Sequence, residues 1–212
     1  LHVGLAHHYA LQSEEWADKD LYSPHDSIEV LAQEQPVGHR SAWQRYVPQV
    51  QAALADYIVH WSAEQWTPQG IEHELCVNVF DEETNKTYFY TQRVDLVWKH
   101  PVTEKIWFVD HKTTGRFSPR TVGEYSMNGQ FLGYQCIGQE MFGDMWGGVL
   151  LNVIEWSKDG GSPRFERMPI DPAPHAVANF KKTIIRAERT LAKYADTEPA
   201  QWPGAHHNAA CW

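Results

Sequence analysis

The 212-residue sequence predicts one domain of the α/β or α+β class, with a mixed central sheet, flanking helices and a helical N-terminal segment. Two kinds of stretch support this prediction: long ones with apolar residues at helical spacing, and short ones that alternate or are continuously apolar. Their order is helices, a three-strand meander, a helix, two strands and a final helix, which is typical of one sheet covered by helices. We expect residues 1–70 to be the helical part, 71–195 the core and 196–212 a tail.

The helical stretches carry apolar side chains every three or four residues. Residues 1–17 and 41–66 are predicted helices, and 18–40 is predicted to be a helix and loop passage. Thr67–Gly70 is a predicted break, because it contains both Pro and Gly. A further helix is predicted over Val122–Phe142, and the last one follows Asp171-Pro172 and ends near Tyr194. Its apolar stripe consists of Val177, Phe180, Ile184, Ala187, Leu191 and Tyr194.

The predicted strands are short and bounded by turn residues. The first two form a hairpin around residues 81–86, and the third is apolar at every position from Ile106 to Val109, which indicates a strand covered on both faces. The five predicted strands are Glu72–Phe80, Thr87–Trp98, Lys105–Lys112, Gly147–Trp156 and Arg164–Ile170.

Composition excludes several classes of protein. The balance of apolar and charged residues argues against a disordered or collagen-like chain, and no apolar run approaches the roughly 18 residues of a membrane span. Three widely spaced cysteines predict free thiols rather than a disulfide framework, and no secretory leader opens the chain, so we expect a cytoplasmic protein. The net charge is −9, with −10 in residues 1–90 and +1 in residues 91–212, so the later part is the better candidate to meet phosphate.

Two acidic residues and a lysine form the most informative cluster. Asp110 and Lys112 are two apart on a predicted strand, so their side chains share a face. Asp95 lies near the end of the preceding strand, from which it can be brought beside Asp110. Two carboxylates at a strand end make an oxygen-rich site for a hard cation such as Mg²⁺ or Mn²⁺, and the lysine can orient water or steady charge on a phosphate. A surface ion pair at a strand end is the simpler alternative, although the apolar lead-in makes unpaired charge costly there.

These residues resemble the motifs of the PD-(D/E)XK nucleases, and within them the RecB-like exonuclease branch, which includes AddB-type, CRISPR-associated and lambda exonuclease-like phage enzymes. That branch has G-x-x-x-H on a first helix, an Asp after a G-R-I-like strand, then D/E-x-K-T, then Q-x-x-x-Y on the next helix. All four occur here in order, the second with Gln92 in place of Gly. The matching stretches are Gly4-Leu5-Ala6-His7-His8, Gln92-Arg93-Val94-Asp95, Asp110-His111-Lys112-Thr113 and Gln130-Phe131-Leu132-Gly133-Tyr134.

The resemblance implies a restriction-endonuclease-like core and a role for each matching position. His8, Asp95, Asp110 and the backbone carbonyl of His111 would bind Mg²⁺ or Mn²⁺, with His7 as the rival to His8. Lys112 would be the catalytic lysine, and Gln130 and Tyr134 would support the site and contact nucleic acid. A Glu often precedes the second motif in this family, so Glu72 or Glu74 could assist the site, or both could form a solvated acidic face.

Many relatives also hold an iron–sulfur cluster, with one Cys before the His motif and three near the C-terminus. Only Cys211 stands in the corresponding C-terminal region, so we expect no such cluster in the chain as given.

Basic residues in the later part offer a candidate path for DNA. Lys182, Arg186, Arg189 and Lys193 form one stripe on the last predicted helix, and Arg116 and Arg120 follow the catalytic strand. A solvated helix face is the alternative for the stripe. Trp43, Trp61 and Trp66 could stack bases, but aromatic residues at helical spacing more often belong to a core.

The resemblance thus implies a divalent-metal-dependent DNA exonuclease acting on ends or single strands, in the cytoplasm of a bacterial or phage-infected cell, within DNA repair or recombination. Its expected partners are DNA and, beyond it, a second copy of the chain or a recombination protein; no membrane is expected. The alternatives are a non-catalytic nucleic-acid-binding or scaffold domain that keeps the fold, and, more remotely, a metal-dependent hydrolase of another substrate.

Overall fold

The computed structural model describes residues 1–13, 23–156 and 161–195, without the side chains of residues 119–121. Within this part of the chain, five strands form one sheet in the order β1-β2-β3-β4-β5. The bounds are Thr67–Asp81 for β1, Lys86–Lys99 for β2, Ile106–Thr114 for β3, Trp146–Glu155 for β4 and Arg164–Ile170 for β5. Neighbouring strands are antiparallel except β3 and β4, which are parallel. The predicted mixed sheet with flanking helices is therefore confirmed.

The first strand is longer than the sequence predicted. Thr67–Gly70 is not an irregular segment between α3 and the sheet but forms the start of β1. Its pairing with β2 is irregular between Pro68 and Gly70. Because β1 is at the edge of the sheet, Pro68 can lack a donor without leaving a neighbouring strand unpaired.

Three helices precede the sheet: α1 spans His2–Ala10, α2 Pro24–Glu34 and α3 Val37–His60. The helix predicted over residues 1–17 ends at Ala10, and residues 14–22 lie outside the described part. The helix predicted from residue 41 begins earlier, at Val37, and its end at His60 leaves a turn before β1. None of the described helices combines the length and the apolar composition needed to cross a membrane.

The helix predicted over Val122–Phe142 is two helices, α4 over Pro119–Ser126 and α5 over Gly129–Phe142. Asn128 separates them: its side-chain oxygen accepts a 2.8 Å hydrogen bond from the Gln130 amide and so caps the start of α5. A short 3₁₀ helix, Gly143–Met145, leads into β4, and α6 spans Pro174–Tyr194. Leu191, near the end of α6, is half exposed, so the predicted apolar stripe is not buried over its full length.

Apolar side chains cover both faces of the sheet. On one face Phe108 and Val94 pack with residues of α5 and α6, and on the other Val109 and Leu96 pack with residues of α1 and α3. The continuous apolar run in β3 is thus a strand covered on both faces, as predicted. Each fully buried side chain of this size contributes about 1.5–3 kcal/mol, so both helical layers are held firmly against the sheet.

Side chains along β1 and β2 do not alternate strictly between the two faces of the sheet, and the irregularity lies at the same level in both strands. Val94 and Leu96 are two residues apart yet pack on opposite faces, and so do Ile71 and Leu75, which are four apart. Glu72 has φ +46°, a left-handed conformation that changes the direction of the strand. This irregularity brings Asp95, between Val94 and Leu96, to the point where β2 and β3 stop pairing.

Candidate active site

Asp110 is the centre of the candidate site. Its side chain is 1% exposed, and its Oδ2 lies 2.7 Å from the Lys112 ammonium. Its Oδ1 accepts a 2.7 Å hydrogen bond from the Gln130 amide. Asp110 and Lys112 therefore share one face of β3 as predicted, and both face α5.

Gln130 and Tyr134 lie one turn apart on α5, and their side chains connect this helix to both β2 and β3. The Gln130 oxygen accepts from Lys112 at 3.2 Å, and its nitrogen also donates to the Tyr134 hydroxyl at 2.9 Å. That hydroxyl lies 2.9 Å from the Arg93 carbonyl and 3.3 Å from Asp110 Oδ1, so it can donate to either. The two sequence-predicted residues thus hold the Asp110 carboxylate and the Lys112 ammonium in place.

Gly133 allows α5 to approach β2 this closely. A Cβ added at Gly133 would lie 2.6 Å from the Gln92 side-chain nitrogen and would also collide with the Tyr90 hydroxyl. A larger residue would require the ends of the Tyr90 and Gln92 side chains to move.

Burial raises the pKa of Asp110 to about 6, Lys112 opposes this rise, and the nearby Asp95 carboxylate adds to it. Although Lys112 is close, Asp110 Oδ2 receives no well-aligned hydrogen bond. A buried carboxylate with a second carboxylate nearby is stabilised by positive charge, of which Lys112 supplies one unit and a bound cation would supply more.

Asp95 lies at the open end of the same strand pair. The pairing of β2 with β3 ends at Leu96 and Val109, and the Asp95 carboxylate accepts a 2.7 Å hydrogen bond from the His111 amide. Its side chain is 21% exposed, so the carboxylate remains accessible from solvent. Asp95 is thus fixed next to the backbone of His111, the residue that follows Asp110.

Glu72 also belongs to this region. Burial and the Asp95 carboxylate raise its pKa, while Arg93, 3.1 Å away, lowers it. Glu74 is exposed. Of these two glutamates, Glu72 is the one whose carboxylate interacts with that of Asp95, so Glu72 is the better candidate to assist the site.

The structure brings His2, and not His8, to the carboxylates. His2 Nδ1 lies 4.0 Å from Asp95 Oδ2, and its ring lies 6.1 Å from that of His111. His8 instead lies 2.9 Å from the Gln12 amide and 5.0 Å from the Tyr9 ring. His2 and His8 are six residues apart, so they differ by roughly 120° around the helix. The spacing from Gly4 in the motif predicts His8 as a ligand, whereas the face of α1 that meets Asp95 carries His2.

The oxygen donors present fit a hard divalent cation. The two carboxylates and the carbonyl of His111 are ligands of the kind that Mg²⁺ and Mn²⁺ prefer, and the Lys112 ammonium, 2.7 Å from Asp110 Oδ2, already supplies one positive charge there. Among the described residues, however, no three His, Cys, Asp or Glu side chains come close enough together to hold a metal by themselves. A cation here would rely on Asp95, Asp110 and backbone or substrate oxygens.

The predicted basic stripe has acidic neighbours. Arg189 is ion-paired with Asp81, to which its Nε donates at 2.6 Å, and with Glu83 at the β1–β2 turn. Lys182 and Arg186 line a groove beside these same acids. From Lys86 to Asp95 the strand advances about 30 Å at roughly 3.3 Å per residue, so the stripe borders the hairpin end and not the carboxylates. Arg189, one of the residues predicted to contact DNA, is thus held by two carboxylates of the hairpin.

The remaining predicted contacts have mixed outcomes. Arg116 is exposed just beyond β3, whereas the Arg120 side chain lies outside the described part, as does Cys211. Lys193 is exposed near the end of α6.

The three tryptophans considered for base stacking differ in exposure. Trp43 is 45% exposed, Trp66 packs 5.1 Å from Trp98, and the Arg167 guanidinium covers the Trp61 ring at 3.8 Å. Of the three tryptophans, Trp43 offers the most open surface.

No family model matches this chain, and no curated protein matches it. Among solved structures it is similar to one titled "Crystal structure of SSO0001", with 14% identity and a TM-score of 0.41 over 84% of this chain and 82% of that one. A likeness of this size carries no argument about fold family or function.

Proposed function

We propose that this chain is a divalent-metal-dependent nuclease with a restriction-endonuclease-like core of the RecB-like branch, which hydrolyses phosphodiester bonds in DNA at ends or in single strands. The observation that carries the proposal is the buried Asp110 carboxylate, held by Lys112 and Gln130 with Asp95 fixed beside it through the His111 amide. This arrangement has little structural use by itself, since burying the Asp110 carboxylate with a second carboxylate nearby costs free energy.

Asp95 and Asp110 would hold the Mg²⁺ or Mn²⁺ ion, which supplies charge stabilisation for a phosphate and activates water. Lys112 is 30% exposed, so its ammonium reaches the solvent side of the site where a substrate phosphate would lie. Its contacts with Asp110 and Gln130 preorganise that positive charge toward the phosphate. Gln130 and Tyr134 position Asp110 and do not themselves need to move a proton.

Support for DNA as the substrate comes from the exposed Arg116 beside the site and from the balance of charge between the two parts of the chain. The acidic hairpin repels a polyanion, which favours a path for the strand near Arg116. Lys182 and Arg186 border that hairpin, so they would contact only a strand that extends beyond the site. Exposed Trp43 is a candidate for stacking an unpaired base.

The test is a titration of metal-free protein with Mn²⁺, paired with a cleavage assay on a 5′-labelled oligonucleotide. Wild type should bind one ion in the site and cleave, and Asp95→Asn and Asp110→Asn should each lose both properties. Asp144→Asn, an exposed carboxylate outside the site, is the matched control and should behave as wild type. Binding of Mn²⁺ and of DNA without cleavage would instead support a non-catalytic nucleic-acid-binding domain.

A further inference from the structure

Three polar side chains lie side by side across the sheet beneath the candidate site. His111 on β3 is in register with Asn152 on β4, and Asn152 is in register with Arg167 on β5. Residues in register on neighbouring strands project from the same face, so these side chains form a row. His111 and Asn152 are fully buried, and the Arg167 side chain is 8% exposed.

The hydrogen bonds of this row all run from Arg167 through Asn152 to His111, with each residue donating to the next. Arginine has only donors, so Arg167 Nε must donate to Asn152 Oδ1 across 3.1 Å. The Asn152 amide nitrogen is therefore left to donate to His111 Nδ1, 2.6 Å away. His111 Nδ1 is thus an acceptor, and the proton of the neutral imidazole lies on Nε2. Burial lowers the pKa of His111 to about 4, which is consistent with a neutral ring.

The outer end of the row is anchored to the N-terminal helices. Arg167 donates to the hydroxyls of Tyr9 at 3.0 Å and Tyr57 at 2.7 Å, and it is ion-paired with Glu64. Its guanidinium also lies 3.8 Å from the centre of the Trp61 ring. Because every side of this arginine is engaged, α1 and α3 hold it in one position.

The inner end of the row reaches the carboxylates. The residue whose side chain Asn152 holds, His111, also donates its backbone amide to Asp95 at 2.7 Å. The Tyr9 ring lies parallel to the His111 ring at 5.9 Å, which closes the remaining side. Fixing the imidazole therefore fixes the amide that holds Asp95.

We infer that Asn152 and Arg167 are positioning residues, which hold His111 so that its amide keeps the Asp95 carboxylate beside Asp110. This inference rests on the proposed function for its consequence, but its geometry concerns residues of the chain alone. Asn152 contacts the His111 side chain, and Arg167 contacts Asn152, so both act on the carboxylates of Asp95 and Asp110 only through His111. Residues that orient ligands in this way typically change metal affinity by about 10–100-fold when replaced.

The test uses Asn152→Leu, which keeps the branching and the number of heavy atoms of the side chain but removes both hydrogen bonds. In metal-free protein, amide hydrogen exchange at His111 should become about tenfold faster relative to Phe108 on the same strand, because one hydrogen bond of ordinary strength is weakened. A purely structural role would accelerate exchange at both amides equally. Arg164→Leu, which removes a surface arginine of β5 bound to Glu155 and Glu166, should leave both amides unchanged. If Asn152→Leu does not fold, Asn152→Ser replaces it.

A Mn²⁺ titration of the same proteins separates this inference from the proposed function. Asn152→Leu should bind Mn²⁺ about 10–100-fold more weakly than wild type. Wild type that binds no Mn²⁺ would overturn the proposed function, and the His111 amide would still decide the inference. Unchanged exchange at His111 in Asn152→Leu would overturn the inference whether or not wild type binds the ion.

Discussion

The Gln130 side-chain amide donates a 2.7 Å hydrogen bond to Asp110 Oδ1, so one residue of α5 fixes the central carboxylate of β3. The oxygen of the same amide accepts from Lys112 at 3.2 Å. Because a side-chain amide has both a donor and an acceptor, Gln130 can hold a carboxylate and an ammonium at the same time. A Glu or Leu at this position could not satisfy both partners.

Lys112→Ala should leave folding and Mn²⁺ binding largely unchanged but lower the cleavage rate about 10²–10³-fold, since removing one preorganised electrostatic group has an effect of this size. The measurement is single-turnover cleavage of a labelled oligonucleotide. Lys99→Ala is the control, because Lys99 is a surface residue paired with Glu104. Cleavage by Lys112→Ala at the wild-type rate would place the catalytic group elsewhere.

Asp110 should make the metal-free protein less stable as pH rises. Its folded pKa of about 6 lies above the ordinary value of 3.8, so the folded state retains the proton longer than the unfolded state. This contribution is fully present below about pH 4, is lost as pH rises through 6, and amounts to roughly 3 kcal/mol at about 1.4 kcal/mol per pKa unit.

Urea unfolding of metal-free wild type and Asp110→Asn at pH 4, 5, 6 and 7 measures this difference. The advantage of wild type over the variant should fall steadily across the series, and Asp144→Asn should follow wild type. A constant difference between wild type and Asp110→Asn at every pH would contradict the raised pKa.

Gly4→Ala should lower the free energy of unfolding by about 1–3 kcal/mol through overpacking. A Cβ at Gly4 would lie 2.6 Å from Leu54 Cδ2 and 3.1 Å from the Pro24 carbonyl oxygen. Gly38→Ala is the matched control, because a Cβ there meets nothing within 4 Å and alanine favours the helix. Equal stability of the two variants in urea would mean that α1 does not pack as closely as described.

Arg189→Ala should reduce stability without changing DNA affinity, because Arg189 holds Asp81 and Glu83. Arg189 keeps the pKa of Asp81 well below its usual range, so this stabilisation is present above about pH 4 and is lost as pH falls. Thermal unfolding at pH 7 should show the loss, and binding of a labelled oligonucleotide should not.

The double substitution Lys182→Glu/Arg186→Glu should weaken DNA binding and make it less dependent on salt concentration, unlike Arg189→Ala. With about three to four phosphates neutralised, the log–log slope for wild type should be roughly −2 to −4, and the double variant should have a shallower slope. The Lys112→Ala background prevents cleavage during the titration. An unchanged slope and affinity would assign both residues to a solvated groove wall.

The sequence predicted the strands and the cluster around Asp110 because both depend on local patterns. Alternation and turn residues define β1 to β5, and the two-residue spacing of Asp110 and Lys112 fixes a shared face. The break at Asn128 was not predicted, although Asn128-Gly129 is a turn dipeptide and Asn is a common helix cap.

The features that the sequence did not predict depend on contacts between distant residues. His2 was overlooked in favour of His8, since only the packing of α1 decides which face meets Asp95. The row formed by His111, Asn152 and Arg167 joins residues separated by 41 and 15 positions, and strand register alone brings them together. Arg189 lies on the predicted face of α6, but the acids that hold it belong to a hairpin 106 or more residues earlier.

End-labelled single- and double-stranded DNA, incubated with wild type in Mg²⁺, in Mn²⁺ or with a chelator, tests the central claim most directly. We predict that either ion supports degradation of the labelled strand, that the chelator abolishes it, that Asp110→Asn is inactive under every condition, and that Lys112→Ala is slower by about 10²–10³-fold. Intact DNA in both ions with folded wild-type protein, or degradation that persists in Asp110→Asn, would contradict the assignment of a nuclease site to Asp95, Asp110 and Lys112.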